Sequence, residues 1–221
     1  MEAHTLRVHK TAHYYTLGQP GTHTRFWWIA CHGYGQAAKN FIRKFESVQQ
    51  PDTFILAPEG LSRFYWKGFN GEVGASWMTR EDRMTEIDDY CDYLTSLYRH
   101  YEAVLPEDVT VILMGFSQGC ATQLRWMMRD QPAFRHLVLW AGSIPEDLEY
   151  STQADYLNSG DIHFIYGTED EFLTPDRMEL FFTAASHFPF HLDVSSFEGK
   201  HEVDRAELEK LADRIRLSVT H

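Results

Sequence analysis

The sequence predicts an α/β protein built on a mostly parallel central sheet with helices on both faces. Three observations carry this reading. Short apolar runs alternate with amphipathic stretches from Arg25 to Val219, the pattern of a parallel-rich sheet whose crossovers cover it. One junction, Gly115-Phe116-Ser117-Gln118-Gly119, sits between a strand-like run and a helix-like run. At 221 residues and 43% hydrophobic content, the chain is long and apolar enough to bury a sizeable core as one domain over residues 1–221.

Taken in order, Leu6 to Leu17 alternates loosely, as antiparallel edge strands do. Arg25 to Cys31 is an aromatic-rich buried strand that runs into the tight loop His32-Gly33-Tyr34-Gly35. Gln36 to Gln50 reads as a helix with Phe41, Ile42 and Phe45 on one stripe, and Thr53 to Ala57 as the next strand. From Arg83 to Val104 the residues Met84, Ile87, Tyr90, Cys91, Leu94, Leu97, Tyr98 and Tyr101 recur at helical spacing. Val109 to Met114 is a strand and Cys120 to Arg129 the helix after it. Arg135 to Trp140 and Ile162 to Tyr166 are further buried strands, with a short helix expected within Glu146 to Leu157. Pro175 to Ser186 is a helix, Phe190 to Phe197 a strand, and Glu202 to Val219 the last helix.

One connection is uneconomical. Residues 59–82 join a strand to a helix by a long loop rich in Phe64, Tyr65, Trp66, Phe69 and Trp77, interspersed with Gly68, Gly71 and Gly74. Loops of that length in compact domains are commonly functional. Trp66, Phe69 and Trp77 are therefore candidate substrate-binding residues forming an apolar wall, the alternative being a packed surface loop.

The junction at Ser117 has the G-x-S-x-G form of a nucleophile elbow. A serine hydroxyl becomes a useful nucleophile when a base takes its proton and a third group orients that base. Elbow enzymes supply these in the order serine, acid, histidine. Ser117, Asp170 and His201 follow that order, and the second and third lie in loops after strands, where open α/β sheets place their ligands. Glu169 and Glu171 flank Asp170, and spacing alone separates the three carboxylates weakly. Among the rival histidines His163, His187 and His191, none shares the position of His201 between a late strand and the terminal helix. The backbone amides of Gln118 and of Tyr34, in the 32–35 loop, are the expected oxyanion donors. His32 is expected to brace that loop.

Cys31-His32-Gly33-Tyr34-Gly35, Gly115-Phe116-Ser117-Gln118-Gly119, Gly167-x-x-Asp170 with Pro175, and His201 together resemble the phospholipase/carboxylesterase family, which includes acyl-protein thioesterases. The resemblance spans roughly residues 26 to 205. It implies an α/β-hydrolase core, hydrolysis of carboxylic esters, thioesters or lysophospholipids through an acyl-enzyme, and no metal or other cofactor. A homodimer is compatible with it. Two departures stand out: Cys120 follows the elbow where the family often has glycine, and Lys200 separates Gly199 from His201. Both bear on substrate identity more than on reaction type. The alternative function is a non-catalytic binding module on a hydrolase scaffold, since fold alone does not dictate activity.

Composition narrows the partners. A formal net charge of −12 opposes nucleic acid and anionic membranes; the family resemblance implies a small-molecule ester as the partner. The first ten residues lack the apolar core of a signal peptide, and no stretch approaches the length needed to span a bilayer. The three separated cysteines, Cys31, Cys91 and Cys120, read as reduced thiols, so a cytoplasmic location is expected. His9 and His13 are four apart but carry no H-E-x-x-H or Cys-x-x-Cys context, and no metal is expected there.

Overall fold

Alternation within fully buried strands divides the interior of this molecule in two. A computed structural model describes residues 1–219. Its strands are β1 (Tyr14–Leu17), β2 (Phe26–Cys31), β3 (Thr53–Pro58), β4 (Ser62–Tyr65), β5 (Val73–Ser76), β6 (Thr110–Phe116), β7 (His136–Trp140), β8 (Asp161–Gly167) and β9 (Asp193–Phe197). The α-helices are α1 (Ala38–Phe41), α2 (Arg83–Glu102), α3 (Gln118–Asp130), α4 (Ala154–Leu157), α5 (Pro175–Ala185) and α6 (Arg205–Ser218). Along β2 successive side chains point to opposite faces. Trp27, Ile29 and Cys31 join one core with residues of α2 to α5, while Phe26, Trp28 and Ala30 join the other with residues of α1 and α6. A strand buried on both faces is near-continuously apolar, which is why β2 and most of β6 read as apolar runs.

The main sheet has seven strands in the order β1-β3-β2-β6-β7-β8-β9. All neighbours are parallel except β1, which pairs antiparallel with β3. From β2 the chain first lays β3 on one side and later β6 on the other. That reversal opens a crevice beyond the carboxyl ends of β2 and β6, the usual ligand position in such sheets. The register sets Cys31 opposite Gly115, so the 32–35 loop and Ser117 leave the sheet side by side.

Three expectations change. The 59–82 connection contains an antiparallel hairpin, β4–β5, with Ser62 opposite Ser76 and Tyr65 opposite Val73. The helix expected over residues 36–50 shrinks to one turn of α1 and a 3₁₀ segment, Ile42–Ser47. This winding still seats Phe45 edge-on to Trp28, with ring centroids 6.0 Å apart, and the Ala38 amide donates to Glu59 Oε2 at 3.0 Å in place of a local cap. Of the edge strands expected over residues 6–17, only β1 forms among the described residues, while the short helix expected within residues 146–157 is α4, after a 3₁₀ turn, Tyr150–Gln153. The other helices lie where their spacing put them. In α2 the buried residues Ile87, Tyr90, Cys91, Leu94, Leu97, Tyr98 and Tyr101 make one stripe, whereas Met84 is exposed. Asp204 caps α6 by accepting the Glu207 amide at 3.0 Å.

At the opposite end of the sheet from Ser117, His136 is 2% exposed. Its Nδ1 lies 3.3 Å from His163 Nε2, and its buried Nε2 has no hydrogen-bond partner among the described residues. Burial first, then the neighbouring His163 and Arg135, depress its pKa to about 4 against the opposing pull of Asp161. The unfolded chain takes up a proton near pH 6.5 and the folded chain only near pH 4, so the stability present above pH 6.5 drains as pH falls toward 4. At roughly 1.4 kcal/mol per pH unit of that gap, the loss reaches about 2 kcal/mol by pH 5. Urea unfolding at pH 7 and pH 5 should show this decline, and His136→Gln should reduce it. A midpoint that does not fall between those pH values would contradict this reading.

Candidate active site

Ser117 follows β6 and precedes α3, and its backbone, at φ 53° and ψ −116°, lies where a residue with a Cβ is strained by about 1–3 kcal/mol. The turn is tight because backbone crosses backbone. A Cβ on Gly115 would stand 2.3 Å from the Gly119 carbonyl oxygen, and one on Gly119 would stand 2.2 Å from that of Cys31. Both glycines are therefore steric requirements. The Ser117 amide donates to the Trp140 carbonyl at 2.9 Å, holding the turn on β7.

The end of β9 brings His201 onto this serine. His201 Nε2 is 2.9 Å from Ser117 Oγ, and His201 Nδ1 is 2.7 Å from Asp170 Oδ2. A carboxylate only accepts, so Nδ1 carries the proton and the Nε2 lone pair faces the hydroxyl. Asp170, in the loop after β8, is 4% exposed while Glu169 and Glu171 are exposed. Its Oδ1 accepts the Phe172 amide at 2.8 Å, which sets the carboxylate plane. Burial and this bond separate the three adjacent carboxylates. The imidazole is bracketed by Phe116 and Phe172, with ring centroids 4.9 and 4.7 Å away; neither phenylalanine was expected at the site, and only their adjacency to Ser117 and Asp170 could have signalled them.

The 32–35 loop faces the same point. The Gly33 amide donates to Gln36 Oε1 at 2.9 Å and the Gly35 amide to the Ala75 carbonyl at 2.8 Å. Between them, the Tyr34 amide has no acceptor among the described residues. Gln118 opens α3, where a helix has no internal acceptor for its first amides. His32 is fully buried, its Nδ1 2.8 Å from the Gly33 carbonyl and its Nε2 accepting the Gly60 amide at 3.0 Å. These partners require the neutral ring, and burial lowers its pKa accordingly. It braces the loop.

The aromatic residues of 59–82 divide. Trp77 is 1% exposed, packed in the core under the loop with its Nε1 donating to the His32 carbonyl at 2.9 Å. The expectation that it lines a substrate wall is corrected: it has no surface to offer, because its ring fills the space between His32 and Tyr90. Trp66 is 51% exposed and joins Tyr34 and Phe64 in a three-ring cluster, with Tyr34 stacked on Phe64 at 5.3 Å and edge-on to Trp66 at 5.9 Å. Phe69 projects from the hairpin turn, 91% exposed. The side chain of Gln118 was missed by sequence reading: Oε1 accepts the Trp77 amide at 3.1 Å and Nε2 donates to the Met78 carbonyl at 2.9 Å. Cys120 is fully buried, its thiol against the Gly115 and Trp140 carbonyls, and burial pushes its pKa well up. Among the described residues no group of three or more His, Cys, Asp or Glu side chains is arranged to hold a metal ion, and no helix is long and apolar enough to cross a membrane.

A parallel-rich sheet with helices on both faces, carrying a serine on a strained strand-to-helix turn, defines the class of α/β-hydrolase-fold serine hydrolases. The chain belongs to the FSH1 serine hydrolase family, whose model matches residues 28–210. The fold is similar to that of acyl-protein thioesterase 2 from Zea mays, at 17% identity and TM-score 0.69 over 94% of this chain and 99% of that one. It is also similar to esterase PE8, at 20% identity and TM-score 0.63 over 94% and 99%. A third similar structure is the carboxylesterase of Bacillus cereus, at 14% identity and TM-score 0.64 over 92% of each chain. No curated protein matches the sequence. The likeness drawn from the motifs therefore holds as a serine hydrolase related in fold to thioesterases and carboxylesterases.

Proposed function

We propose that this serine hydrolase is a carboxylesterase acting through an acyl-enzyme, and the observation that carries the reading is the unbroken hydrogen-bonded row Ser117–His201–Asp170. Ser117 Oγ attacks the ester carbonyl as its proton passes to His201 Nε2. Asp170 accepts from Nδ1–H, fixing the tautomer and stabilising the imidazolium that forms. The oxyanion of the tetrahedral intermediate lies between the Tyr34 and Gln118 amides. Collapse expels the alcohol, which takes the proton from Nε2. Water then enters, loses a proton to the same nitrogen, and releases the acid from Ser117. Each step uses one base in alternating protonation states, so no further titrating group is needed.

Substrate preference is read from the rim. Tyr34 and Trp66, each about half exposed, stand beside the proposed oxyanion site and with Phe64 present aromatic faces to an incoming group. Phe69 extends the apolar surface outward. A flat aromatic group on such faces gains about 0.5–1.5 kcal/mol beyond its buried area. Esters with aromatic or medium-length acyl groups should show kcat/KM roughly three to ten times that of the acetate ester. A panel of p-nitrophenyl esters measures this, with matched thioesters reporting leaving-group preference. Equal rates across the acyl series would contradict the assignment of the rim.

A further inference from the structure

The two proposed oxyanion donors sit on segments that both lead back to the β4–β5 hairpin. On one side, the Gln118 side chain is held by the Trp77 amide and the Met78 carbonyl, immediately after β5. On the other, Gly35 and Gln36 form a short ladder with β5: the Gly35 amide donates to the Ala75 carbonyl at 2.8 Å, and the Ala75 amide to the Gln36 carbonyl at 3.1 Å. What remains to be held is the peptide unit between Gly33 and Tyr34, which carries the Tyr34 N–H; its carbonyl, that of Gly33, accepts the Gln36 amide at 3.2 Å and lies 2.8 Å from His32 Nδ1. Trp66, just past the end of β4, acts on it through the Gly35–Gln36 peptide. Its indole Nε1 donates to the Gly35 carbonyl at 2.6 Å, and its ring covers Gly35 so closely that a Cβ there would lie 1.9 Å from it. Gly35 has φ +74°, a conformation held by its surroundings rather than by a side chain of its own. The Trp66 amide in turn donates to the Glu72 carbonyl at 2.9 Å, closing the hairpin turn beneath the indole.

We propose that Trp66 is a positioning residue for the oxyanion hole: its indole N–H fixes the Gly35–Gln36 peptide, whose N–H holds the Gly33 carbonyl and thereby the direction of the Tyr34 amide in the same peptide unit. The proposal rests on the esterase reading above. Trp66 then has two faces: an exposed one at the substrate rim, and an edge that holds a backbone donor in place. The Tyr34 ring strengthens the same brace by its contacts with Phe64 and Trp66. A donor that acts only on the developing oxyanion contributes to the transition state and not to ground-state binding. Loosening it should therefore lower kcat and kcat/KM together with KM unchanged.

The test replaces Trp66 with 3-benzothienylalanine, which keeps the bicyclic shape and removes the N–H, and in parallel with phenylalanine. For p-nitrophenyl butyrate, kcat should fall about five- to tenfold in both, the effect of one hydrogen bond, with KM within about twofold for the benzothienyl variant. Affinity for a trifluoromethyl ketone, whose serine adduct carries an oxyanion, should fall by the same factor. Tyr65→Thr, at the preceding residue, should leave all three values at the parental level. Unchanged kcat and unchanged ketone affinity in the benzothienyl variant would overturn the proposal. A rise in KM alone would also overturn it, because it would make Trp66 a rim contact only. Fluorophosphonate labelling at Ser117 separates the two levels: a parent protein that fails to label overturns the esterase reading and this proposal together, whereas labelled protein with parental kinetics in the variants overturns this proposal alone.

Discussion

Replacing Ser117 with alanine is expected to abolish covalent labelling by a fluorophosphonate and to reduce ester hydrolysis by about five to six orders of magnitude, the scale seen when a nucleophile that works as part of a coupled set is removed. The reason is chemical and local. Ser117 Oγ is the hydroxyl within hydrogen-bond reach of His201 Nε2, so its removal leaves the base with nothing to deprotonate for attack. The change deletes one atom and leaves the Cβ in the same strained turn, so the fold should keep its urea midpoint. The two observables should thus separate: lost chemistry, retained structure. Covalent label recovered on another residue of the Ser117→Ala protein would refute the assignment of the nucleophile.

What could be read from the chain beforehand follows from the range of the forces involved. Strands β2, β3, β6, β7 and β8 were legible because burial favours apolar residues, and such runs stand out locally even with His136 and His163 among them. The elbow was legible because its glycines answer contacts made within a few residues of Ser117, apart from the approach of Gly119 to Cys31. The hairpin inside 59–82 was not. Its strands have four residues each, and their alternation is masked by aromatic residues on both faces. Trp77 was misjudged for a related reason, since an aromatic beside glycines looks the same in sequence whether it faces solvent or the His32 carbonyl. The ambiguity among Glu169, Asp170 and Glu171 yields only to burial, a property of how the loop packs between β8 and His201. The bracing by Gln118 and Trp66 joins residues about 30 to 40 positions apart, beyond the reach of any local pattern.

Asp170→Asn is expected to lower kcat by about ten-thousandfold while the protein stays folded, as loss of the orienting carboxylate does in serine hydrolases with this arrangement. Asparagine has nearly the shape of aspartate, and its carbonyl can still accept the Phe172 amide that Asp170 Oδ1 accepts at 2.8 Å. Its amide NH2 is then directed at His201 Nδ1, where Oδ2 stood at 2.7 Å. A donor facing Nδ1 favours the tautomer with the proton on Nε2. That proton points at Ser117 Oγ, so the imidazole has no lone pair with which to take the serine's hydrogen. The imidazolium formed during attack also loses its buried counter-charge. Because the neutral imidazole is then in the wrong tautomer, the residual rate should climb as rising pH supplies hydroxide to replace the missing base, unlike the parent's plateau. Glu169→Gln and Glu171→Gln, at exposed positions beside Asp170, should stay within about twofold of the parent, the scale of an exposed charge. A full-rate Asp170→Asn enzyme, or a comparable collapse on removing either glutamate's charge, would transfer the orienting role away from Asp170.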